Sequence, residues 1–148
     1  KNNAAATVQY AHITLSGGER SYEFDLSTLP SGASAQLLEL SRQPLPESTD
    51  GLTASLTNFA PFDTEPTLCE DVISIDAQDT AITITNVSGS DITGQIYVYY
   101  KSAYGDLYIG GITYRTGVSG LAAGESTTLY ASHYSTAYSK IMFVTYVQ

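Results

Sequence analysis

Apolar and polar residues alternate with a period of two along much of this chain. Ile82-Thr83-Ile84-Thr85, Gln95-Ile96-Tyr97-Val98-Tyr99-Tyr100-Lys101 and the run from Lys140 to Gln148 read this way, as does Tyr22-Glu23-Phe24-Asp25-Leu26 nearer the start. Only a pleated strand sends every second side chain to one face, so the pattern predicts antiparallel β-sheet. Hardly any segment holds a helical period beyond two turns, and the predicted class is all-β.

Turn residues divide the pattern into elements. Val8 to Leu15, the turn Ser16-Gly17-Gly18-Glu19 and Tyr22 to Leu26 read as a hairpin. Leu29 to Ser34 is a second turn, and Ala35 to Leu40 is read as a strand in preference to a short helix. Arg42 to Asp50, with Pro44 and Pro46, is loop, and Leu52 to Thr57 a possible strand. From Asn58 to about residue 80, Pro61, Pro66 and most of the acidic excess predict an irregular surface connection, the place for a domain boundary if the chain has one. From Ala81 onward the strands are regular. They are expected to turn at Asn86–Asp91 and Ala103–Asp106, run through Tyr114, turn again over Gly117–Gly124, continue over Ser126–Ser132 and end in a terminal strand. The expected organisation is one sandwich over 1–148, with first strands in 8–57 and the main sheet in 81–148. A faint echo relates Leu29-Pro-Ser-Gly32-Ala-Ser34 to Leu121-Ala-Ala-Gly124-Glu-Ser126 at a constant offset, with no sustained repeat around it.

Charge narrows the partners. Six Lys and Arg against 15 Asp and Glu leave a net −9 and a pI near 4.3. Such a surface repels phosphate backbones and anionic lipid, so nucleic acid is not an expected partner. Only 14% of residues are charged, and Ser, Thr, Gly, Asn and Tyr take their place, a composition common outside the cell. Cys69 is alone, so no internal disulfide is expected. No window is long and apolar enough for a membrane span, so no direct membrane insertion is expected in this segment. Lys1 to Thr7 reads as a juxtamembrane spacer or the edge of a longer polypeptide.

Ile84-Thr-Asn86-Val-Ser88-Gly-Ser-Asp91-Ile92, Ile96-Tyr-Val98-Tyr-Tyr100-Lys101, Gly110-Gly111 and Gly120-Leu121-Ala-Ala-Gly124-Glu125-Ser126 together resemble the bacterial FxLYD-like domains. The resemblance covers the C-terminal half, although the Phe-x-Leu-Tyr-Asp string itself is absent. It implies an immunoglobulin-like antiparallel β-sandwich on an extracytoplasmic protein, and it brings no catalytic residues. The expectation is a non-catalytic module, extracellular or on the cell surface, acting as spacer or protein-interaction domain. The alternative is a carbohydrate-binding module, and the expected partner is an unknown protein or a glycan.

Ten of the twelve tyrosines lie in Ala81–Gln148. With Ile96, Val98 and Tyr100 inward, Tyr97 and Tyr99 fall on the outer face, where Tyr108, Tyr114 and Tyr130 join them if neighbouring strands align. Exposed rings stack on sugars or anchor interfaces, and they also stabilise sheets as cross-strand pairs, the plainer use. Asp63, Glu65, Glu70, Asp71, Asp76 and Asp79 offer oxygen ligands without calcium-loop spacing and read as a solvated acidic segment. His12 and His133 read as surface residues at strand ends. No catalytic residues, metal ligands or cofactors are expected. Asn86-Val-Ser88 is formally a glycosylation acceptor, and Lys101 or Lys140 with Asn86 a remote isopeptide pair.

Overall fold

Eleven strands and no helix make up the computed structural model, which describes residues 1–148. They are β1 (Val8–Gly17), β2 (Arg20–Leu29), β3 (Ser34–Gln36), β4 (Thr53–Pro61), β5 (Ile73–Gln78), β6 (Ala81–Asn86), β7 (Ile92–Tyr104), β8 (Leu107–Ile109), β9 (Tyr114–Leu121), β10 (Ser126–Tyr130) and β11 (Ser139–Tyr146). The class is all-β, with antiparallel sheets arranged as a β-sandwich. The chain divides into two compact units: Lys1–Glu65 with Asp106–Ile112, and Pro66–Gly105 with Thr113–Gln148. It first passes from one to the other inside the Pro-rich acidic segment.

In the second unit, sheet β10-β6-β5 faces sheet β11-β7-β9. Ile73, Ile82 and Ile84 from one meet Ile96, Val98 and Val144 from the other in a single buried cluster. Each of those strands is half apolar because only one of its faces is inside. In the first unit, β1 is central in the order β2-β1-β4, and β3 pairs in parallel with β8. Val8 and Ala11 of β1 and Tyr22, Phe24, Leu26 and Leu29 of β2 are buried.

Several elements differ from the expectation. The segment Ala35–Leu40 is a strand only at its start, because Leu40 N–H bonds the Glu23 carbonyl (2.9 Å) and Arg42 N–H the Glu39 carbonyl (3.1 Å), which curls the chain into a turn. Residues 117–121, expected as turn, belong to β9, which pairs with β7 from Tyr114 onward. The connection 58–80 contains β5, whose alternation of Ile73, Ile75 and Ala77 is hidden among acidic neighbours. Lys1–Thr7 is tied to the first unit at both ends, where Asn2 and Thr7 are buried.

Asn2 and Asn86 each clamp a turn with the same bonds. Asn86 N–H donates to Glu125 O (3.0 Å), Asn86 O accepts from Gly124 N–H (2.9 Å), and Nδ2 donates to Ser90 O (2.7 Å) and Leu121 O (2.9 Å). Asn2 N–H donates to Ala33 O (2.8 Å), Asn2 O accepts from Gly32 N–H (2.9 Å), and Nδ2 donates to Ala6 O (3.0 Å) and Leu29 O (2.9 Å). Each Oδ1 then accepts from the amide two residues on, Ser88 or Ala4. Gly32 and Gly124 both sit at φ near +75°, which a side chain would strain. These are the residues of the sequence echo, so its structural counterpart is a repeated asparagine-clamped turn.

Candidate functional site

Pairing decides which tyrosines meet. Ile96, Val98 and Tyr100 are buried, and Tyr97 and Tyr99 lie on the opposite, outer face of β7, as the alternation requires. Both are half-buried: Tyr99 stacks on buried Phe143 of β11 (4.2 Å, 12°), and Arg115 of β9 covers the Tyr97 ring (4.7 Å). The other three do not join them. Tyr114 is opposite Tyr100 and shares its inward face, stacking on Tyr100 (5.6 Å) and on His133 (4.4 Å). Tyr108 is buried in β8 of the first unit. Tyr130 is 76% exposed, beyond buried Leu129 on the outer face of the other sheet. The five therefore form no common platform.

An exposed aromatic pair lies elsewhere. Tyr104 at the end of β7 and Tyr138 just before β11 are 69% and 59% exposed, with rings nearly parallel at 6.3 Å. Sequence reasoning missed them because neither belongs to an alternating run. Their signal was position: one at a Gly-Asp turn, one in a Ser/Tyr-rich loop.

His12 is not at a strand end. It is in the middle of β1, directly opposite Asp25 and diagonal to Glu23. Nδ1 meets Asp25 Oδ1 and Nε2 meets Glu23 Oε2, each at 2.6 Å. Tyr10 donates to Asp25 (2.9 Å), and Thr14 and Ser21 donate to Glu23 (both 2.8 Å). The hydrogen bonds to Asp25 and then Glu23 raise the His12 pKa. Hydrogen bonds from Thr14 and Ser21 lower that of Glu23, and the bond to His12 lowers that of Asp25. Both ring nitrogens are thus held by carboxylates, an arrangement for a charged imidazolium. His133, in the loop before β11, is exposed.

The acidic side chains between Asp63 and Asp79 are dispersed. Glu65 accepts from the Thr7 amide and hydroxyl, Asp79 accepts from those of Thr136, and no three His, Cys, Asp or Glu converge as a metal would require. Asn86 is buried with its amide committed to two carbonyls, which opposes both glycosylation and an isopeptide there. Lys101 is fully buried, and burial brings its pKa down to about 8.

Two concavities are apolar. In the second unit a cleft of about 370 Å³ opens beside β5, lined by Ile73, Ile75, Ala77, Leu68 and Ile141 together with Glu70 and Ser74. In the first, a groove of about 350 Å³ is lined by Ala11, Ile13, Leu26, Leu37, Leu56 and Phe59. Leu56 and Phe59 are 61% and 43% exposed there.

No protein-family model, curated protein or solved structure matches the chain.

Proposed function

We propose that the chain is a repeated, immunoglobulin-like module of a bacterial surface or envelope protein, non-catalytic, serving as a spacer between other parts of that protein. One observation carries this reading: the same asparagine-clamped turn and the same three-stranded order, β2-β1-β4 and β9-β7-β11, occur in both units. Repeating one unit is how chains gain reach without new chemistry. The neutral polar composition and the likeness to FxLYD-like domains support the external location.

The test is replacement. With the chain displayed on a Gram-positive cell between an anchor and a terminal tag, exchange for an unrelated pair of β-sandwiches of similar length should leave antibody access to the tag unchanged. Loss of a surface phenotype with the tag still accessible would replace the spacer by a specific binding role.

A second reading has its own observation. The parallel, exposed rings of Tyr104 and Tyr138 offer a surface on which a sugar ring can stack. Under this reading a glycan array retains wild type and not Tyr104→Ser/Tyr138→Ser. The spacer reading expects no retention of either.

A further inference from the structure

The apolar groove of the first unit is the place where the second unit has two more strands. Strand by strand, β1 corresponds to β7, β2 to β9, β4 to β11 and β3 to β10. The sheet orders agree, Val8 opposite Leu29 matches Ile92 opposite Leu121, and the clamping residues Asn2, Gly32 and Leu29 match Asn86, Gly124 and Leu121. In the second unit β10 pairs with β6, and β5 pairs with β6 on its other side. Their Ile73, Ile82 and Ile84 cover the inner face of β7. The first unit has no counterpart to this hairpin. β3 pairs with β8, which lies towards β2, since Gly110 N–H bonds Gln36 O and Ser27 N–H bonds Gly111 O (both 2.8 Å). The other edge of β3 has no strand, and the groove between it and β4 leaves Leu56 and Phe59 exposed.

We infer that this groove is the seat of a β-hairpin of the β5–β6 kind, supplied by the segment that leads into Asn2 in a longer polypeptide. The source follows from connectivity: β6 runs directly into Asn86, and Asn2 is its counterpart. Such a hairpin would pair with the free edge of β3 and set alternate apolar side chains on Ile13, Leu56 and Phe59. The inference shares with the proposed function only the equivalence of the two units. It does not depend on a surface location or a spacer role, which the replacement experiment tests separately.

The experiment extends the full chain with a copy of Ile73–Thr85 joined directly to Asn2 in place of Lys1. The extended protein should remain monomeric by light scattering and melt higher by at least about 5 °C. It should also lose the binding of an apolar dye that the unextended chain shows, a loss that Phe59→Ser mimics in the unextended chain. The same extension with its isoleucines changed to serine should do none of this. An equal gain from the serine version, or no gain from the isoleucine one, overturns the inference. A dimer formed only by the extended chain overturns the source, showing that the hairpin is donated to a second copy. If the extension prevents folding, the same hairpin is added as a synthetic peptide to the unmodified protein. Backbone amide shifts confined to residues around Ala35, Leu56 and Phe59 support the inference, and no shift at about millimolar peptide overturns it.

Discussion

Asn86 holds a whole turn with one side chain, because an amide offers two donors and an acceptor and here all are used against backbone groups. Asn86→Ala takes the amide donor from the buried Leu121 carbonyl, while Ser90 O keeps the Ser88 hydroxyl (3.1 Å), and should cost about 1–3 kcal/mol by urea unfolding, against under about 0.5 kcal/mol for Thr128→Ala on the solvated face. A loss no larger than the control would mean that water replaces the clamp. His12 governs pH dependence instead. Its pKa is raised from 6.5, so its contribution is complete below about 6.5 and fades as pH rises through the folded value. The lowered pKa values of Glu23 and Asp25 make their share complete above their ordinary 4.5 and 3.8, and it fades as pH falls through the folded values. The clamp is therefore strongest between about pH 4.5 and 6.5. His12→Gln should lower the melting temperature more at about pH 5.5 than at about pH 8.5. Equal losses at the two values would show that the imidazolium is not what the carboxylates hold.

At the scale of strands, burial by neighbours outweighs alternation within one. Tyr97 and Tyr99 face outward, yet Phe143, Arg115 and Gly117 come to them from β11 and β9. A Cβ at Gly117 would be 2.5 Å from the Tyr97 ring and 2.3 Å from the Ile96 carbonyl oxygen, so the strand approaches this closely only as glycine. Tyr99→Ser should accordingly cost about 2–3 kcal/mol, well above the roughly 0.2–1 kcal/mol of an exposed cross-strand contact, while Tyr130→Ser should stay within about 0.5 kcal/mol. Equal effects in chemical denaturation would refute that ordering. The edge strand β5 has its own signature. Val87 N–H bonds Val72 O at 2.9 Å, which sets the phase of the ladder: the amides of Ser74, Asp76 and Gln78 face β6, and those of Ile75 and Ala77 point away from it. Amide exchange should be slow at the first three and fast at the last two, and the reverse order would mean that β5 is shifted by one residue.

For the molecule as a whole, Cys69 is the only cysteine and its thiol lies near Thr67 and the Val144 carbonyl. The melting temperature of a monomeric sample should not change with reductant. A shift would reveal a covalent partner outside this chain. The all-β class and the inward set Ile82, Ile84, Ile96 and Val98 were legible without coordinates, because a period of two has one physical cause and burial on one face selects for it. The paired carboxylates around His12 were within reach too, since a tight turn at Gly18–Glu19 sets the register that puts His12 opposite Asp25. Other features belong to the fold alone. Tyr114 faces inward because the chain breaks between β8 and β9 and restarts against Tyr100, and no local pattern carries that phase across an irregular segment. The likeness of the two units was nearly silent in the residues, since Leu29–Ser34 and Leu121–Ser126 share only a few side chains, yet both clamps use mainly backbone groups plus one asparagine. Local alternation determined which faces are apolar, through side-chain geometry that each strand carries by itself. Only the tertiary structure decided which faces are covered, because covering a face takes residues that are distant in the chain.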